Sequence, residues 1–308
     1  KQGLKVIKKR SNLGLKTLYD LCDIKSQPST YDLGFKLGPR INAGGRVGKS
    51  SHGAELLSSN DPERVYEIAM ALDKSNSERK SIELMLYEKI NVELRKHQND
   101  PVLVLSGDNW HEGIIGIICS RLKERYNKPT ILISTNKTLG KGSARSVIGF
   151  DIGSQIIKST QLDIVEKGGG HKMAGGFTIK KDKIPLFREF LIKNYLKLMS
   201  NLSKSSNLYL DSIISPTALN ENFYDDINSL APFGSGNNEP KFVLENIKVI
   251  RSNWAADKHI KSLMSGLDGS VFKSIAFNAK DTPLEPYLNE KNKKKINIAG
   301  KIKLNEWL

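Results

Sequence analysis

The sequence predicts a mixed α/β domain with a long helix before it and a smaller all-β domain after it. Three observations lead to this order. A helical stretch begins at Asp61-Pro62 and meets no further Gly or Pro before Pro101, a strand–helix–strand pattern covers residues 102–134, and short β-type runs follow residue 207. The 308 residues are enough for two or three domains, and 38% of them are hydrophobic, so each domain can have its own core.

The charge distribution favours a polyanionic partner. The net charge is +15, and the basic excess is regional, because residues 241–303 hold thirteen Lys or Arg against six Asp or Glu whereas residues 61–100 are slightly acidic. A regional excess favours a nucleic-acid-binding face over a general bias of composition. No segment has the apolar length of a membrane span. Cys22 and Cys119 are expected to be buried free thiols of a cytoplasmic protein.

The long helix is predicted from its start signal and its apolar stripe. Asp61 is a suitable N-cap, and Pro62 suits the first helical position. If it is unbroken as far as His97, the helix is about 55 Å long and connects two compact regions. The alternative is two helices with a break near residues 75–77. Before the helix, residues 1–60 hold short apolar pieces and the compact string LGPRINAGGRVG.

The α/β domain follows Pro101, which ends the helix. A buried-type strand, a helix and a second strand predict a parallel pair of strands. A strand or turn, a short helix, a strand and an amphipathic helix complete the domain. The predicted elements are residues 102–105, 114–125, 130–134, 142–146, 151–159, 177–179 and 185–199.

The all-β domain begins after a polar linker at residues 200–207. Short runs of β-forming residues, separated by turn residues, predict a small barrel or sandwich. These runs are residues 208–214, 242–250, 260–264, 270–277 and 296–303.

The glycine-rich string EKGGGHKMAGGF, residues 166–177, is the strongest functional signal in the chain. Glycine allows close approach of the backbone or a positive φ. His171, directly after three glycines, can donate to a phosphate oxygen while nearby amides bind the others. The pattern therefore predicts a loop that binds a phosphate or a nucleotide. The alternative is a flexible surface turn in which the histidine is incidental.

Several strings occur together in one known family. They are LGPRINAGGRVG, WHEGIIGIICSRLKERYNKPT, GSARS, EKGGGH and APFGSGNNEP, in this order along the chain. With them, nearly the whole sequence resembles the RecJ family of single-strand-specific exonucleases, within the DHH phosphoesterase superfamily. The resemblance implies an α/β DHH-associated domain, joined by a long helix to the tail of a DHH domain and followed by an all-β OB-fold-like domain. The implied parts are the DHH tail at residues 1–60, the connector helix at 61–100, the substrate-binding DHH-associated domain at 101–200 and a truncated OB-fold-like domain at 207–308.

The resemblance also implies a pair of Mn²⁺ or Mg²⁺ ions, held by aspartates and histidines of the DHH domain. This sequence has no DHH triplet, and its five histidines are scattered without metal-ligand spacing. The metal centre is therefore expected in sequence that precedes Lys1, and no residue of this chain is expected to bind a metal.

The glycine-rich string is expected to contact the phosphate of the substrate. His171 is the expected catalytic donor, with the backbone of Gly168, Gly169 and Gly170 around the phosphate. Arg145 of GSARS is expected to pair bidentately with a phosphate. Ser146 of the same string is expected to contact nucleic acid beside it.

Four further candidates keep two interpretations each. Arg40 and Arg46 either contact the nucleotide or pair with carboxylates of the catalytic domain, and Asn42 either contacts nucleic acid or holds a backbone turn. His111 precedes a helix whose N-terminus can bind an anion, or it serves only in capping and packing.

In the all-β domain, an exposed aromatic residue beside lysines predicts a groove for a single strand. Trp254 is expected to be exposed and to stack on bases, and Lys258 and Lys261 are expected to contact the backbone phosphates.

The implied activity is 5′-to-3′ hydrolysis of single-stranded DNA in repair and recombination, in which this chain binds the strand and is inactive alone. Expected partners are single-stranded DNA, a helicase and a single-strand-binding protein, and the chain is expected to be a monomer. One alternative is a non-catalytic module that binds single-stranded nucleic acid. The other is an oligoribonuclease or cyclic-dinucleotide phosphodiesterase, which the all-β domain disfavours because tiny substrates need no long groove.

Overall fold

A computed structural model describes residues 1–25, 27–199, 207–234, 236–289 and 294–305. The chain divides into two compact units, residues 2–205 and 206–308, each with its own sheet. Most of the predicted linker, residues 200–206, lies outside the described residues.

Short helices form the first part of the larger unit. They pack against the first half of the long helix α5 around a core that includes Leu18, Tyr19 and Leu56. The string LGPRINAGGRVG is helical rather than a turn, and Gly44 is needed there because a Cβ would lie 2.6 Å from the Lys49 carbonyl oxygen. The elements are α1 Gln2–Lys8, α2 Leu13–Leu21, a π-helical segment Asp32–Leu37, α3 Gly38–Val47, α4 His52–Ser58 and α5 Pro62–His97.

The long helix α5 is unbroken, so the predicted start is confirmed and the alternative break near residues 75–77 is wrong. Asp61 caps it by accepting hydrogen bonds from the amides of Glu63 and Arg64 at 3.0 and 3.3 Å. Its first half contributes Val65, Ile68, Ala69 and Leu72 to the helical core, and its second half contributes Leu86, Ile90 and Leu94 to the core beneath the sheet. The helix therefore belongs to two cores in succession.

A buried polar cluster occupies α5 where it passes from one core to the other. Arg79 Nη2 donates to Asn76 Oδ1 at 3.1 Å, and Arg79 Nη1 donates to Glu83 Oε2 at 2.6 Å. Arg121 Nη1 lies 2.8 Å from the other Glu83 oxygen. Glu83 is only 2% exposed, so its charge depends on these two guanidinium groups.

The larger unit contains a five-stranded sheet in the order β1-β2-β3-β5-β4. The predicted parallel pairing of β1 with β2 is confirmed, and the other neighbours are antiparallel. Of the residues 142–146 predicted as a strand or turn, residues 142–145 belong to strand β3, and Ser146 follows it. The elements are β1 Leu103–Asp108, α6 Glu112–Tyr126, β2 Thr130–Asn136, β3 Leu139–Arg145, α7 Ile152–Gln161, β4 Lys167–His171, β5 Ala174–Lys180, a 3₁₀ turn Lys181–Lys183 and α8 Ile184–Met199.

The two faces of this sheet are covered differently. Helices α7 and α8 pack on one face through Ile156 and Phe187, against residues such as Phe177. Helices α5 and α6 pack on the other face over β1, β2 and β3. Beyond α6, the same face of β5 and β4 is open, and Gly176 and His171 are exposed there.

The glycine-rich string forms a hairpin, so its prediction as a loop was wrong. Strand β4 pairs antiparallel with β5, and β5 pairs with β3, so the glycines lie in a continuous sheet. None of the glycines between Gly168 and Gly176 has a positive φ. Gly168, Gly170 and Gly175 are needed for close packing rather than for an unusual backbone conformation.

The smaller unit is an open, curled five-stranded sheet around a core of Leu244, Ile247, Val249 and Met264. Every predicted β-type run contains a strand. The strand in the first run has only two residues, and β7 extends five residues beyond Ile250, to Ala255. The helix α9, which Asn220 caps, was not predicted. The elements are β6 Ser212–Ile213, a 3₁₀ turn Pro216–Ala218, α9 Glu221–Ser229, β7 Phe242–Ala255, β8 His259–Ser265, β9 Val271–Ala276, α10 Glu285–Leu288 and β10 Ile296–Gly300, with the order β10-β7-β8-β9 and β6 beside β7.

Candidate nucleic-acid interface

Strand register aligns the candidate residues of the α/β sheet in three rows. Alternate residues of a strand share a face, and cross-strand partners share it too. Helix α6 covers β3 on one face of the sheet and leaves β5 and β4 uncovered. This face of β3, β5 and β4 is named here the open face. Its rows are Arg145–Ala174–His171, Ser143–Gly176–Gly169 and Lys141–Thr178–Lys167.

His171 is exposed at the end of β4, and its Nδ1 accepts a hydrogen bond. The backbone amide of Met173 donates to His171 Nδ1 at 3.3 Å. A neutral imidazole whose Nδ1 accepts a hydrogen bond carries its proton on Nε2. His171 therefore offers an N–H donor at Nε2 without needing a positive charge.

Arg145 is fixed by neutral acceptors. Its Nε donates to Ser120 Oγ at 3.1 Å, and its Nη1 donates to the Ala144 carbonyl at 2.8 Å and to Ser143 Oγ at 3.3 Å. It forms no ion pair with a carboxylate in the described part of the chain. Because two strand spacings separate it from His171, their Cα atoms are about 10 Å apart. Arg145 and His171 thus place a guanidinium group and an N–H donor in the same row of the sheet.

An open groove of about 470 Å³ lies beside this row. His171 and Arg145 do not line it, because it occupies the second and third rows. Lys141 Nζ lies 2.8 Å from Glu112 Oε2, whereas Lys167 has no such ion pair among the described residues. The lining residues are Glu112, Ile115, Lys141, Gly142, Ser143, Lys167, Gly168, Gly176, Phe177 and Thr178.

Sequence reasoning missed Lys141, Lys167, Thr178 and Glu112. Two of them could have been found from the alternation of side chains along a strand, in which every second residue shares a face. This alternation leads from Arg145 to Lys141 and from His171 to Lys167. It was hidden because the glycine string was interpreted as a loop.

The three glycines of β4 have different roles. A Cβ on Gly168 would lie 2.6 Å from Phe177 Cβ, and one on Gly170 would lie 2.6 Å from Gly175 Cα, so both face packed atoms. A Cβ on Gly169 would meet nothing within 4 Å. Gly169 alone of the three therefore leaves space on the open face.

Helix α7 supports the hairpin from beneath. The amide of Ile152 donates to the Lys172 carbonyl at 3.2 Å, next to His171. Asp151 caps α7 by accepting from the amide of Ser154 at 3.0 Å. This backbone hydrogen bond, with a smaller opposing effect of burial, lowers the pKa of the Asp151 carboxyl below its usual value.

Ser146 does not fit the role predicted for it. Its side chain is fully buried, and its hydroxyl donates to the Phe150 carbonyl at 2.6 Å. A direct contact between this hydroxyl and nucleic acid is excluded by that burial, so the prediction was wrong for Ser146. The residue instead stabilises the segment between β3 and α7.

The arginines of α3 make contacts within the larger unit. Arg40 Nε lies 2.6 Å from Asp73 Oδ1 on α5, which fits the pairing interpretation, although with a carboxylate of the long helix. Arg46 Nη1 donates to the Gly113 carbonyl at 3.0 Å, which joins α3 to the first turn of α6. Asn42 is exposed within α3, so the interpretation that it holds a turn was wrong.

His111 precedes α6 as its N-cap residue, but its side chain does not cap the helix. Its Nδ1 is buried and has no hydrogen-bond partner among the described residues. Trp110 is a core residue, 8% exposed, as the packing interpretation had it.

In the smaller unit, Trp254 is 47% exposed, as predicted. Trp254 is paired with Ile260, and Asn253 is paired with Lys261, so Trp254 and Lys261 point to opposite faces of the sheet. The predicted single groove containing both was therefore wrong. Lys258 lies in the turn between β7 and β8. The basic residues that share a face with Lys261 are Lys248, Arg251 and Lys273.

Comparison with known proteins defines the class first. Residues 99–197 match the family model of the DHHA1 domain, and residues 210–308 match that of the RecJ OB domain. The predicted fold class is confirmed by these matches together with the structural likeness below.

The particular family follows from relatives along the whole chain. The single-stranded-DNA-specific exonuclease RecJ of Bacillus subtilis is 29% identical over 312 residues, which cover 99% of this chain and 39% of that protein. The RecJ of Haemophilus influenzae is 31% identical and covers 99% of this chain and 55% of that protein. This chain belongs to the RecJ family. It spans about half the length of the curated relatives it matches.

Solved structures show the same fold. RecJ of Thermus thermophilus in complex with Mn²⁺ has a TM-score of 0.81 at 23% identity, over 99% of this chain and 43% of that chain. An exonuclease RecJ bound to manganese has a TM-score of 0.55 at 24% identity, over 66% of this chain and 50% of that chain.

The residues present do not fit a metal centre. Within the described ranges, no group of three or more His, Cys, Asp or Glu side chains could hold a metal ion. No helix of the described chain is long and apolar enough to cross a bilayer.

Proposed function

We propose that this chain is the DNA-binding part of a single-stranded-DNA-specific exonuclease that hydrolyses phosphodiester bonds in the 5′-to-3′ direction. The observation that carries the proposal is the row formed by Arg145 and His171 on the open face. It combines a guanidinium fixed by neutral acceptors with an imidazole whose Nε2 is a donor. Such a pair binds a phosphate through charge-assisted hydrogen bonds.

The contribution of this chain is binding and orientation. The guanidinium of Arg145 neutralises negative charge on the phosphate, and His171 Nε2 donates to one of its oxygens. The Mn²⁺ or Mg²⁺ of the relatives has no fitting set of ligands among the described residues, so no metal-dependent step is assigned to this chain. We place the metal ions in a DHH domain encoded before Lys1.

The test uses the protein extended by the sequence encoded before Lys1. With Mn²⁺ and 5′-phosphorylated DNA, mononucleotides should be released from a single strand and not from a duplex. His171→Ala should lower kcat/KM for the 5′-phosphorylated strand far more than for the same strand with a 5′-hydroxyl, because its donor contacts the terminal phosphate. Equal losses for both strands, or no loss, contradict the role of His171. His52→Ala, away from the open face, is the control.

A non-catalytic binding module is the second candidate. The basic face of β7, β8 and β9 favours it, because Lys248, Arg251, Lys261 and Lys273 share one side of the sheet. Such a face binds backbone phosphates without any cleavage site. Strand binding by the extended protein without release of mononucleotides, in the presence of Mn²⁺, would favour this candidate. With the exonuclease activity, we also propose roles in DNA repair and recombination. The proposed partners are a helicase and a single-strand-binding protein, and the proposed oligomeric state is a monomer.

A further inference from the structure

The third row of the open face has the composition of an anion site. Lys141, Thr178 and Lys167 are cross-strand neighbours, so two ammonium groups and one hydroxyl share one end of the groove. Glu112 neutralises Lys141, while Lys167 is without an ion pair in the described part of the chain. The row therefore keeps a net positive charge and offers several hydrogen-bond donors.

The groove is lined by the third row and not by His171 or Arg145, so the third row and the first row are separate positions. Four residues of strand separate them, which is about 13 Å. Hydrogen bonds to one phosphate group require donors within about 3 Å of its oxygens. The two rows thus match two different phosphates of one chain.

The middle row has glycine on two of its three strands, so the backbone there forms a flat surface without side chains, named here the floor. Gly176 and Gly169 occupy it, and a Cβ on Gly169 would point into open space. Ile115 of α6 adds an apolar wall. A sugar and base can lie on such a floor, because backbone without side chains permits close approach.

We propose that Lys167, with Lys141 and Thr178, is a second phosphate position that binds an internal phosphodiester of the strand whose terminal phosphate is held by His171 and Arg145. The part of the strand between them lies over Gly169 and Gly176. The ligand is a single strand that runs along β4 and β5. This inference rests on the proposed function and adds the path of the strand.

The first experiment measures binding of a labelled 5′-phosphorylated oligothymidylate to the 308-residue chain in EDTA, by fluorescence anisotropy. One linkage at a time is replaced by an uncharged methylphosphonate. One internal replacement should weaken binding to the wild type roughly tenfold and should have little effect on Lys167→Gln. Lys180→Gln, on the same face but paired with Glu166, is the matched control and should respond like the wild type. If the loss of affinity caused by Lys167→Gln simply adds to the loss caused by every methylphosphonate replacement, the proposal is overturned.

The second experiment adds a side chain to the middle row of the open face. Gly169→Val adds a side chain where the structure has space, so the melting temperature should stay close to that of the wild type while affinity falls at least tenfold. Unchanged affinity in this folded variant rules out a strand over Gly169.

The outcomes separate this inference from the proposed function. If the wild type binds the strand, and His171→Ala removes its preference for a 5′-phosphate, the function stands even when Lys167 couples to no linkage. If the wild type does not bind the strand, the proposed function fails and this inference fails with it.

Discussion

Gly153 lies directly beneath Gly170: a Cβ on Gly153 would be 2.9 Å from the carbonyl carbon of Gly170 and 2.9 Å from the amide nitrogen of His171. The first turn of α7 is therefore in contact with the backbone that carries the histidine. The position of His171 depends on a helix as well as on its own strand.

We expect Gly153→Ala to destabilise the chain. In an open helix this change would stabilise by up to about 1 kcal/mol. Here the methyl group meets backbone atoms that cannot turn away, so a net loss of about 1–3 kcal/mol is expected. Urea unfolding measures it, with Gly169→Ala as the control because its Cβ has room. A stabilised Gly153→Ala variant would show that α7 is not tightly packed on β4.

Asp151→Ala should cost about 1 kcal/mol, because it removes the N-cap of α7. Asp151→Asn should be close to the wild type, since Asn caps equally well. The lowered pKa of Asp151 means that its charge contributes stability above the ordinary pKa of 3.8, and that this contribution is lost as the pH falls below that value. Unfolding curves between pH 5 and pH 2 should show a correspondingly weaker pH dependence for Asp151→Asn. An identical dependence would contradict the assigned cap.

Glu83→Ala should be strongly destabilising, by about 3 kcal/mol, because it leaves the guanidinium of Arg79 buried without its carboxylate. Glu88→Ala, at an exposed position of the same helix, should change the free energy of unfolding by less than about 0.5 kcal/mol. Chemical denaturation compares the two variants. Similar small changes would mean that the polar cluster of α5 is not a structural link between its two cores.

Cys119 should resist alkylation in the native chain. Burial raises the pKa of its thiol to about 12, and its Sγ lies 2.9 Å from the Thr130 carbonyl oxygen. The reactive thiolate is therefore almost absent at pH 8. Mass spectrometry after iodoacetamide treatment should find Cys119 modified only when urea unfolds the chain. Rapid modification under native conditions would place Cys119 outside the core.

The sequence predicted the elements whose signals are local. Asp61 and Pro62 fixed the start of α5, and its lack of Gly or Pro indicated its length. Strands β1 and β2 were predicted from their runs of apolar residues, and the strands of the smaller unit were predicted from runs of β-forming residues. The cap Asn220 and its helix α9 were missed because a long β pattern surrounds that short segment.

The sequence predicted His171 and Arg145 of the candidate site, but not its third row or its geometry. Glycine has low strand propensity, so β4 exists only because β5 pairs with it and α7 packs on it. Burial of Ser146 and the opposite faces of Trp254 and Lys261 depend on tertiary packing and strand register. The third row could be recognised only once residues 167–171 were known to form a strand, because the period of two from His171 to Lys167 has no meaning in a loop.

The most direct measurement of the central claim is the affinity of this chain for one single strand with and without its 5′-phosphate, in EDTA. The wild type and His52→Ala should bind the phosphorylated strand roughly tenfold more tightly. In His171→Ala this ratio should fall towards one. Equal affinity of the wild type for both strands, or an unchanged affinity ratio in His171→Ala, would contradict the claim that this histidine binds the phosphate of the strand.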